Sequence, residues 1–477
     1  MLLDTLLSDI EVTEKIGDTQ VEISGINYNS RKIRPGDVFV AVRGLRADGH
    51  DYIQSAIEAG AAAIVGEQET PGLSVPQVLV KDTRYALAML AAAFYGYPGK
   101  KLRVIGVTGT NGKTTVTYLV KTILEHTGHK VGLIGTNQNM VGNMVLKSEH
   151  TTPESLELQE LFSIMVREGV DSVVMEVSSH SLELGRVAGC HFAVGAFTNL
   201  TQDHLDFHLT MDNYMMAKAR LFSMCDAGVF NADDSAAEKL METATCKKVT
   251  YGTNKDCDIY ADGAMLHARG VEFTLDGEKV RLAIPGEFSV YNALCAAGIC
   301  MQLGIPVKDI AAALATASGV KGRAEVVDVP TPYTVMIDYA HSPDGLENIL
   351  RTVRGFCKER LIVVFGCGGD RDRTKRPIMG RIAGELADFC VVTSDNPRSE
   401  EPAAIIREVM EGVKQTHATY EVVENRRKAI AYAMRIAREG DVVLLAGKGH
   451  ETYQILHDGI IDFDERKIVR EILDGKE

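Results

Sequence analysis

Apolar residues fall along this chain in short runs set between stretches of helical period. VFVAV (38–42), AAIVG (62–66), RVIGVTG (103–109), SVVMEVS (172–178), AVGAFTN (193–199) and GVFNADD (228–234) read as strands. An Ala-rich stretch at 84–95 reads as a helix. Strands that alternate with helices predict α/β architecture with a mostly parallel sheet. Between 256 and 284 the pattern shifts to short strands around turns such as Asp276-Gly277, so a small antiparallel part is expected there. TVMIDYA (334–340), LIVVFGCGG (361–369), FCVVTS (389–394) and DVVLLAG (441–447) predict a second doubly wound unit. Breaks at Tyr97-Pro98-Gly99-Lys100 and Val329-Pro330-Thr331-Pro332 divide the chain into three α/β domains, 1–98, 99–331 and 332–477.

Composition narrows the function without naming it. At roughly 100–200 residues per domain, 477 residues fit two to four domains. A net charge of −14 argues against a partner held by bulk positive charge, so no nucleic acid is expected. A local basic cluster can still hold an anionic substrate. The nine cysteines are odd in number and form no Cys-x-x-Cys pair, which fits reduced thiols better than a disulfide framework or a zinc ribbon. MLLDTLLSDIEVTEK lacks a basic segment followed by an apolar core, and no apolar run approaches the ~18 residues of a membrane span. A cytoplasmic protein without membrane insertion is expected.

The strongest local signal is GVTGTNGKTT (106–115), placed where a strand runs into a helix. Its glycines let backbone N–H groups approach phosphate oxygens, and the helix N-terminus favours negative charge. Lys113 can reach the outer phosphates, and Thr114 can offer a hydroxyl to Mg²⁺. Val107 stands where the strict P-loop pattern has its first glycine. The loop alone leaves phosphoryl transfer, motor and ligase functions open. Glu176 ends one expected strand and His204 lies in the polar loop after the next. The carboxyl ends of strands in an open α/β sheet border the ligand crevice, so both belong beside the loop. A carboxylate and an imidazole there can hold a metal that bridges nucleotide and substrate.

TGTNGKTT (108–115), MEVSSH (175–180), TNLTQDHLDFH (198–208), YMMAKARLF (214–222), YNALCAAG (291–298), Gly322-Arg323 and IDYAHSPDGLEN (337–348) follow one another in order. As an ordered set that spans most of the chain, they resemble the Mur ligase family, to which folylpolyglutamate synthetases are related. The resemblance implies an N-terminal UDP-binding domain, a central ATPase domain and a Rossmann-like C-terminal domain. It implies ATP held by Gly109, Thr110, Asn111, Gly112, Lys113, Thr114, Thr115, Asn292, Arg323, Asp338 and His341. It puts Mg²⁺ on Thr114, Glu176, His204 and Lys218, the last as a carbamate, which turns a cation into a carboxylate-like ligand. Lys113, Lys218, His204 and Glu176 are then the catalytic set.

The same resemblance places both organic substrates. SRKIRPGDVF (30–39) looks like the UDP-muramyl segment, with Ser30, Leu45, Arg46 and Ala47 facing the nucleotide-sugar. His150, Thr151, Thr152, Ser178 and Arg186 would contact the muramyl dipeptide, the two threonines also capping the helix that follows. Asp395-Asn396-Pro397-Arg398 is a tetrapeptide that in this family goes with diaminopimelate recognition; Arg371, Gly447 and Glu451 complete that group. The implied reaction is ATP-dependent amide-bond formation between UDP-N-acetylmuramoyl-L-alanyl-D-glutamate and meso-diaminopimelate, through an acyl phosphate, in peptidoglycan synthesis. L-lysine addition and folylpolyglutamate synthesis are the related alternatives. An ATP-hydrolysing regulator and a non-catalytic precursor-binding protein are the unrelated ones. A monomer is expected.

Overall fold

The structure, a computed structural model, describes residues 1–475 other than 45, 46, 147, 149, 268, 269 and 318. Among the described residues the strands form three principal sheets and two small antiparallel ones.

The first sheet has five strands, Val12–Ile16, Gln77–Val80, Ala63–Gly66, Asp37–Val40 and Gly25–Asn27, in that spatial order. All neighbours run parallel except the first pair. The helix Thr83–Phe94 packs its alanines and leucines over this sheet, capped by Asp82, which accepts from the backbone N–H groups of Arg84 and Tyr85.

The central sheet is built around Arg103–Thr108, with Ser172–Glu176 on one side and Phe192–Phe197 on the other. These strands read as unbroken apolar runs because both faces are covered. Parallel register pairs Glu176 with Val107 and Phe197 with Thr108, so all three strands end level with one another. That register delivers the carboxyl ends of the strands to one crevice, where the chain turns into the helix Lys113–His126. A second helix, Glu287–Gln302, packs against the first within one apolar core.

Several strands escaped the sequence pattern. Val131–Ile134 and Lys247–Gly252 both extend the central sheet, and the hairpin Asn139–Val141 with Met144–Leu146 adds an antiparallel edge. The expected antiparallel part is present as Asp262–His267, Gly270–Leu275 and Glu278–Leu282.

The third sheet runs Glu325–Val326, Thr334–Asp338, Val442–Ala446, Leu361–Phe365, Phe389–Val392 and Thr419–Val422. Its first strand comes from before the Val329–Pro332 break, so the link from the central region enters this sheet directly. Two helices of this region, Lys375–Leu386 and Pro402–Val413, approach through Gly380 and Gly412, where a Cβ would strike the backbone of Val409 and of Pro377.

Candidate active site

The loop after Thr108 is shaped by two glycines with positive φ, Gly109 at 144° and Gly112 at 86°. A Cβ at Gly109 would collide with the Thr198 hydroxyl, and one at Gly112 with the Asn292 side chain. Asn292 thus abuts the loop from the second helix. Lys113 curls back, its Nζ donating to the carbonyls of Gly109 (2.9 Å) and Thr110 (2.7 Å). Burial pulls the Lys113 amine below the usual lysine range, against the opposing pull of Glu176.

Glu176 is buried and fully engaged. Its Oε1 accepts from the Thr114 hydroxyl at 3.0 Å and the Thr136 backbone N–H at 2.9 Å, and its Oε2 from the Thr136 hydroxyl at 3.0 Å. Thr136 was not legible as a site residue; it follows a strand that the apolar pattern did not reveal. Thr114 and Glu176 together offer oxygen ligands beside a phosphate loop, which is what Mg²⁺ takes when nucleotide oxygens and water fill its remaining positions. Among the described residues no three His, Cys, Asp or Glu side chains converge into a complete cage.

Lys218 is not a solvated helix lysine. It lies near the end of the helix Met211–Ala219, only 1% exposed, and its Nζ donates to the Gly109 carbonyl at 2.8 Å. The amine sits 4.2 Å from the centroid of the Tyr214 ring. Burial first, then the neighbouring Lys113 charge, holds its pKa well below the usual range. His204, at φ 54°, lines the same cavity of about 420 Å³ as Lys113, Glu176 and Lys218. His208 and Asp203 flank it. His208 is buried with Nε2 2.9 Å from the Ser179 hydroxyl, and Asp203 stands 3.5 Å from the His204 ring.

The wall opposite the loop comes from the third sheet. Asp338 accepts from the backbone N–H groups of Ala324 (2.6 Å) and Ala340 (2.8 Å), and burial raises its pKa. Arg323 stacks over Tyr339 with its Cζ 4.8 Å from the ring centroid, and its Nε is buried without a hydrogen-bond partner. An unpaired guanidinium edge in a cavity fits an anion. Asp344 ties the wall to the loop, accepting from the side chains of Asn111 and Thr201. This contact went unread because Asp344 sat inside a motif taken as a whole.

A second cavity, of about 960 Å³, shares Asp203, His204, Tyr339, His341 and Ser342 with the first. Arg371, Asp395, Asn396, Arg398, Gly447 and Glu451 all line it. Pro397 supplies the turn between Asn396 and Arg398, which has φ 53°. The Arg398 Nη1 donates to the carbonyl of Gly369 at 2.7 Å, and no hydrogen bond uses its Nε or Nη2 among the described residues. Asp395 is 8% exposed, and its Oδ2 has no hydrogen-bond partner. Asn396 cannot accept from a substrate ammonium: its Oδ1 already accepts from Lys448 Nζ (3.2 Å) and the Ile455 backbone N–H (3.0 Å).

The expected dipeptide contacts are scattered. Thr151 and Ser178 line the first cavity, but Thr152, His150, Arg186, Ser30 and Ala47 line neither. Leu45 and Arg46 lie outside the described residues. Thr151 and Thr152 do not cap the following helix. Its N-cap is Glu154, without a side-chain cap bond, and the Thr152 hydroxyl instead donates to the Glu176 carbonyl at 2.8 Å. Arg186 is held by Glu154 at 2.7 Å and by the Thr152 carbonyl.

Three family models match this chain: the Mur ligase middle domain over residues 107–300, the Mur ligase glutamate ligase domain over 322–449, and the Mur ligase family catalytic domain over 22–95. The chain belongs to the Mur ligase family. Among the relatives of this Mur ligase is the UDP-N-acetylmuramoyl-L-alanyl-D-glutamate–2,6-diaminopimelate ligase of Clostridium botulinum, 50% identical over 99% of both chains. The enzyme of that name from Caldanaerobacter subterraneus is 51% identical over 96% of both. A solved structure of a UDP-N-acetylmuramoyl-L-alanyl-D-glutamate–2,6-diaminopimelate ligase superposes with a TM-score of 0.69 at 31% identity, covering 95% of each chain.

Two outcomes follow from the site. Lys113→Ala keeps the fold and loses ~10²–10³ in ligation rate, because the amine serves charge in the loop rather than packing; a folded variant at wild-type rate excludes it. The second concerns pH. Burial lowers His208 from 6.5 to about 4, so between those values the unfolded chain binds a proton that the native chain refuses. Stability is therefore complete above about pH 6.5 and declines toward pH 4, by at most ~1.4 kcal/mol per unit from this residue. Urea unfolding between pH 7 and 5 should show a shallower decline in His208→Asn; an unchanged slope would remove His208 as the cause.

Proposed function

We propose that this Mur ligase couples ATP cleavage to amide-bond formation between the D-glutamyl γ-carboxylate of UDP-N-acetylmuramoyl-L-alanyl-D-glutamate and an amine of meso-2,6-diaminopimelate, in peptidoglycan precursor synthesis. The observation that carries this reading is the shared wall of the two cavities. A carboxyl group phosphorylated beside Lys113 would lie next to a diaminopimelate held at its distal end by Arg398, with Asp203, His204, Tyr339, His341 and Ser342 lining both cavities.

The γ-carboxylate attacks the γ-phosphorus of ATP and ADP departs, leaving an acyl phosphate. Lys113 and Arg323, both lining this cavity, would meet the charge on the transferring group. Mg²⁺, on Thr114 and Glu176 with His204 nearby, would neutralise phosphate charge. The uncharged amine of diaminopimelate attacks the acyl carbon, its proton is lost, and the tetrahedral intermediate expels phosphate. No protein nucleophile is required, so most of the rate comes from positioning and electrostatics.

Lys218 enters as a carbamate. Burial disfavours the charged form of this amine, and the neutral form is a nucleophile toward carbon dioxide; the new N–C bond, with loss of a proton, gives a carboxylate-like group. That exchange also gives Lys113 an anionic neighbour in place of an amine.

Diaminopimelate is favoured over L-lysine by the free Nε–Nη2 edge of Arg398, a planar fork matched to the distal carboxylate that lysine lacks. Two charged hydrogen bonds at ~1.5–3 kcal/mol each correspond to ~10²–10⁴-fold discrimination.

Lys218→Ala should be inactive and partly restored by short-chain carboxylates that fill the vacated space; full activity without rescue would return Lys218 to a structural role. In competition at equal concentration, mass spectrometry of the products should show diaminopimelate added and L-lysine ignored, and Arg398→Asn should lose that preference while retaining ATP binding. Equal incorporation by the wild type would overturn the specificity and leave the ligase reading intact.

A further inference from the structure

Lys448 follows the strand Val442–Ala446 through Gly447 and is fully buried, although it does not line the amino-acid cavity. Its Nζ donates to the Glu451 Oε2 at 2.7 Å and to the Asn396 Oδ1 at 3.2 Å. The rings of Tyr453 and Phe463 close the remaining sides, their centroids 5.7 and 5.8 Å from the Nζ. A buried ammonium persists only where acceptors compensate it, and here both acceptors belong to residues that face the cavity.

We propose that Lys448 is a positioning residue that assigns donor and acceptor roles in the amino-acid pocket, acting through Asn396 and Glu451. The inference rests on the ligase reading above and deepens it. Two donors, Lys448 Nζ and the Ile455 N–H, fill the Asn396 oxygen. Turning that amide over would set its NH₂ against an ammonium and a backbone N–H, so the orientation is fixed. The Asn396 Nδ2 is left to donate, at 2.9 Å to the Glu451 Oε2 and with its other hydrogen free. Glu451 in turn has its Oε2 occupied by both Lys448 and Asn396, while its Oε1 accepts no hydrogen bond among the described residues. The pocket thus offers a carboxylate-reading side, Asn396 Nδ2 with Arg398, and an ammonium-reading side, Glu451 Oε1. A substrate whose distal carbon carries both charges meets both sides; one carrying only an ammonium meets half.

The test compares full-length wild type, Lys448→Met, Glu451→Gln and the Lys448→Met/Glu451→Gln pair, with folding checked by urea unfolding. Wild type is first assayed with diaminopimelate and with L-lysine. If it ligates neither, the ligase reading and this proposal fall together. If it prefers diaminopimelate, Lys448→Met should raise the KM for diaminopimelate by about 10–100-fold, the worth of one charged hydrogen bond, and narrow its preference over L-lysine. The KM values for ATP and the UDP-linked substrate should stay within about twofold, a split that general loosening would not produce. Should the single variant fail to fold, the doubly neutral pair carries the test, with a higher diaminopimelate KM expected than for Glu451→Gln alone. An unchanged diaminopimelate KM in folded Lys448→Met, an equal rise in all three KM values, or a pair equal to Glu451→Gln overturns the role of Lys448 and leaves the ligase reading standing.

Discussion

Two buried amines converge on one backbone carbonyl. Lys113 and Lys218 both donate to the oxygen of Gly109, at 2.9 and 2.8 Å, and burial, then the Lys113 charge, disfavours a proton on Lys218. The carboxylate closest in function, Glu176, is already saturated by Thr114 and Thr136. The loop is therefore built short of negative charge. A polyphosphate supplies what the fold withholds, and it does so where the helix beginning at Lys113 presents unpaired N–H groups. The level ending of three parallel strands is what allows this convergence, since it brings Thr108, Glu176 and Phe197 to one plane before any side chain is considered.

The other half of the chemistry is tied to this loop through a small number of polar contacts. Asp344 reaches Asn111 and Thr201, and Arg323 lines the cavity beside the loop. The second cavity is organised separately, beside a buried charge cluster in which Arg426 stands 3.7 Å from Asp395 and 2.8 Å from Glu465. The two cavities meet at Asp203, His204, Tyr339, His341 and Ser342, which line both.

Much of this was legible in the sequence, for identifiable reasons. Fully covered strands announce themselves as unbroken apolar runs, so the central strands and most of the third sheet were visible. Val131–Ile134, short and directly preceded by a turn, was not, and with it Thr136 was lost. Motif resemblance brought Lys218 and Asn292 to the loop despite the distance along the chain, which periodicity could not have done. Residue type misled where a backbone contact competes with a cap: the Thr152 hydroxyl serves the Glu176 carbonyl rather than the following helix. Lys448 stood in plain view within AGKGHE, but burial is what distinguishes it, and burial of a single lysine leaves no mark in the sequence.

At the join between the central region and the third sheet, main chain meets main chain. Gly322, at φ 73°, lies so close to the backbone of Gly449 and His450 that a Cβ on it would collide with both. Arg466 bridges Glu325 on the link and the Gly449 carbonyl beside it, and the Glu325 carboxylate also takes the Gly322 N–H. A joint made of main chain imposes few demands on the sequence of the modules it connects. Chimaeras that carry a different third module need to retain this glycine pair and its ion pair, together with the Asp344 contact to the loop.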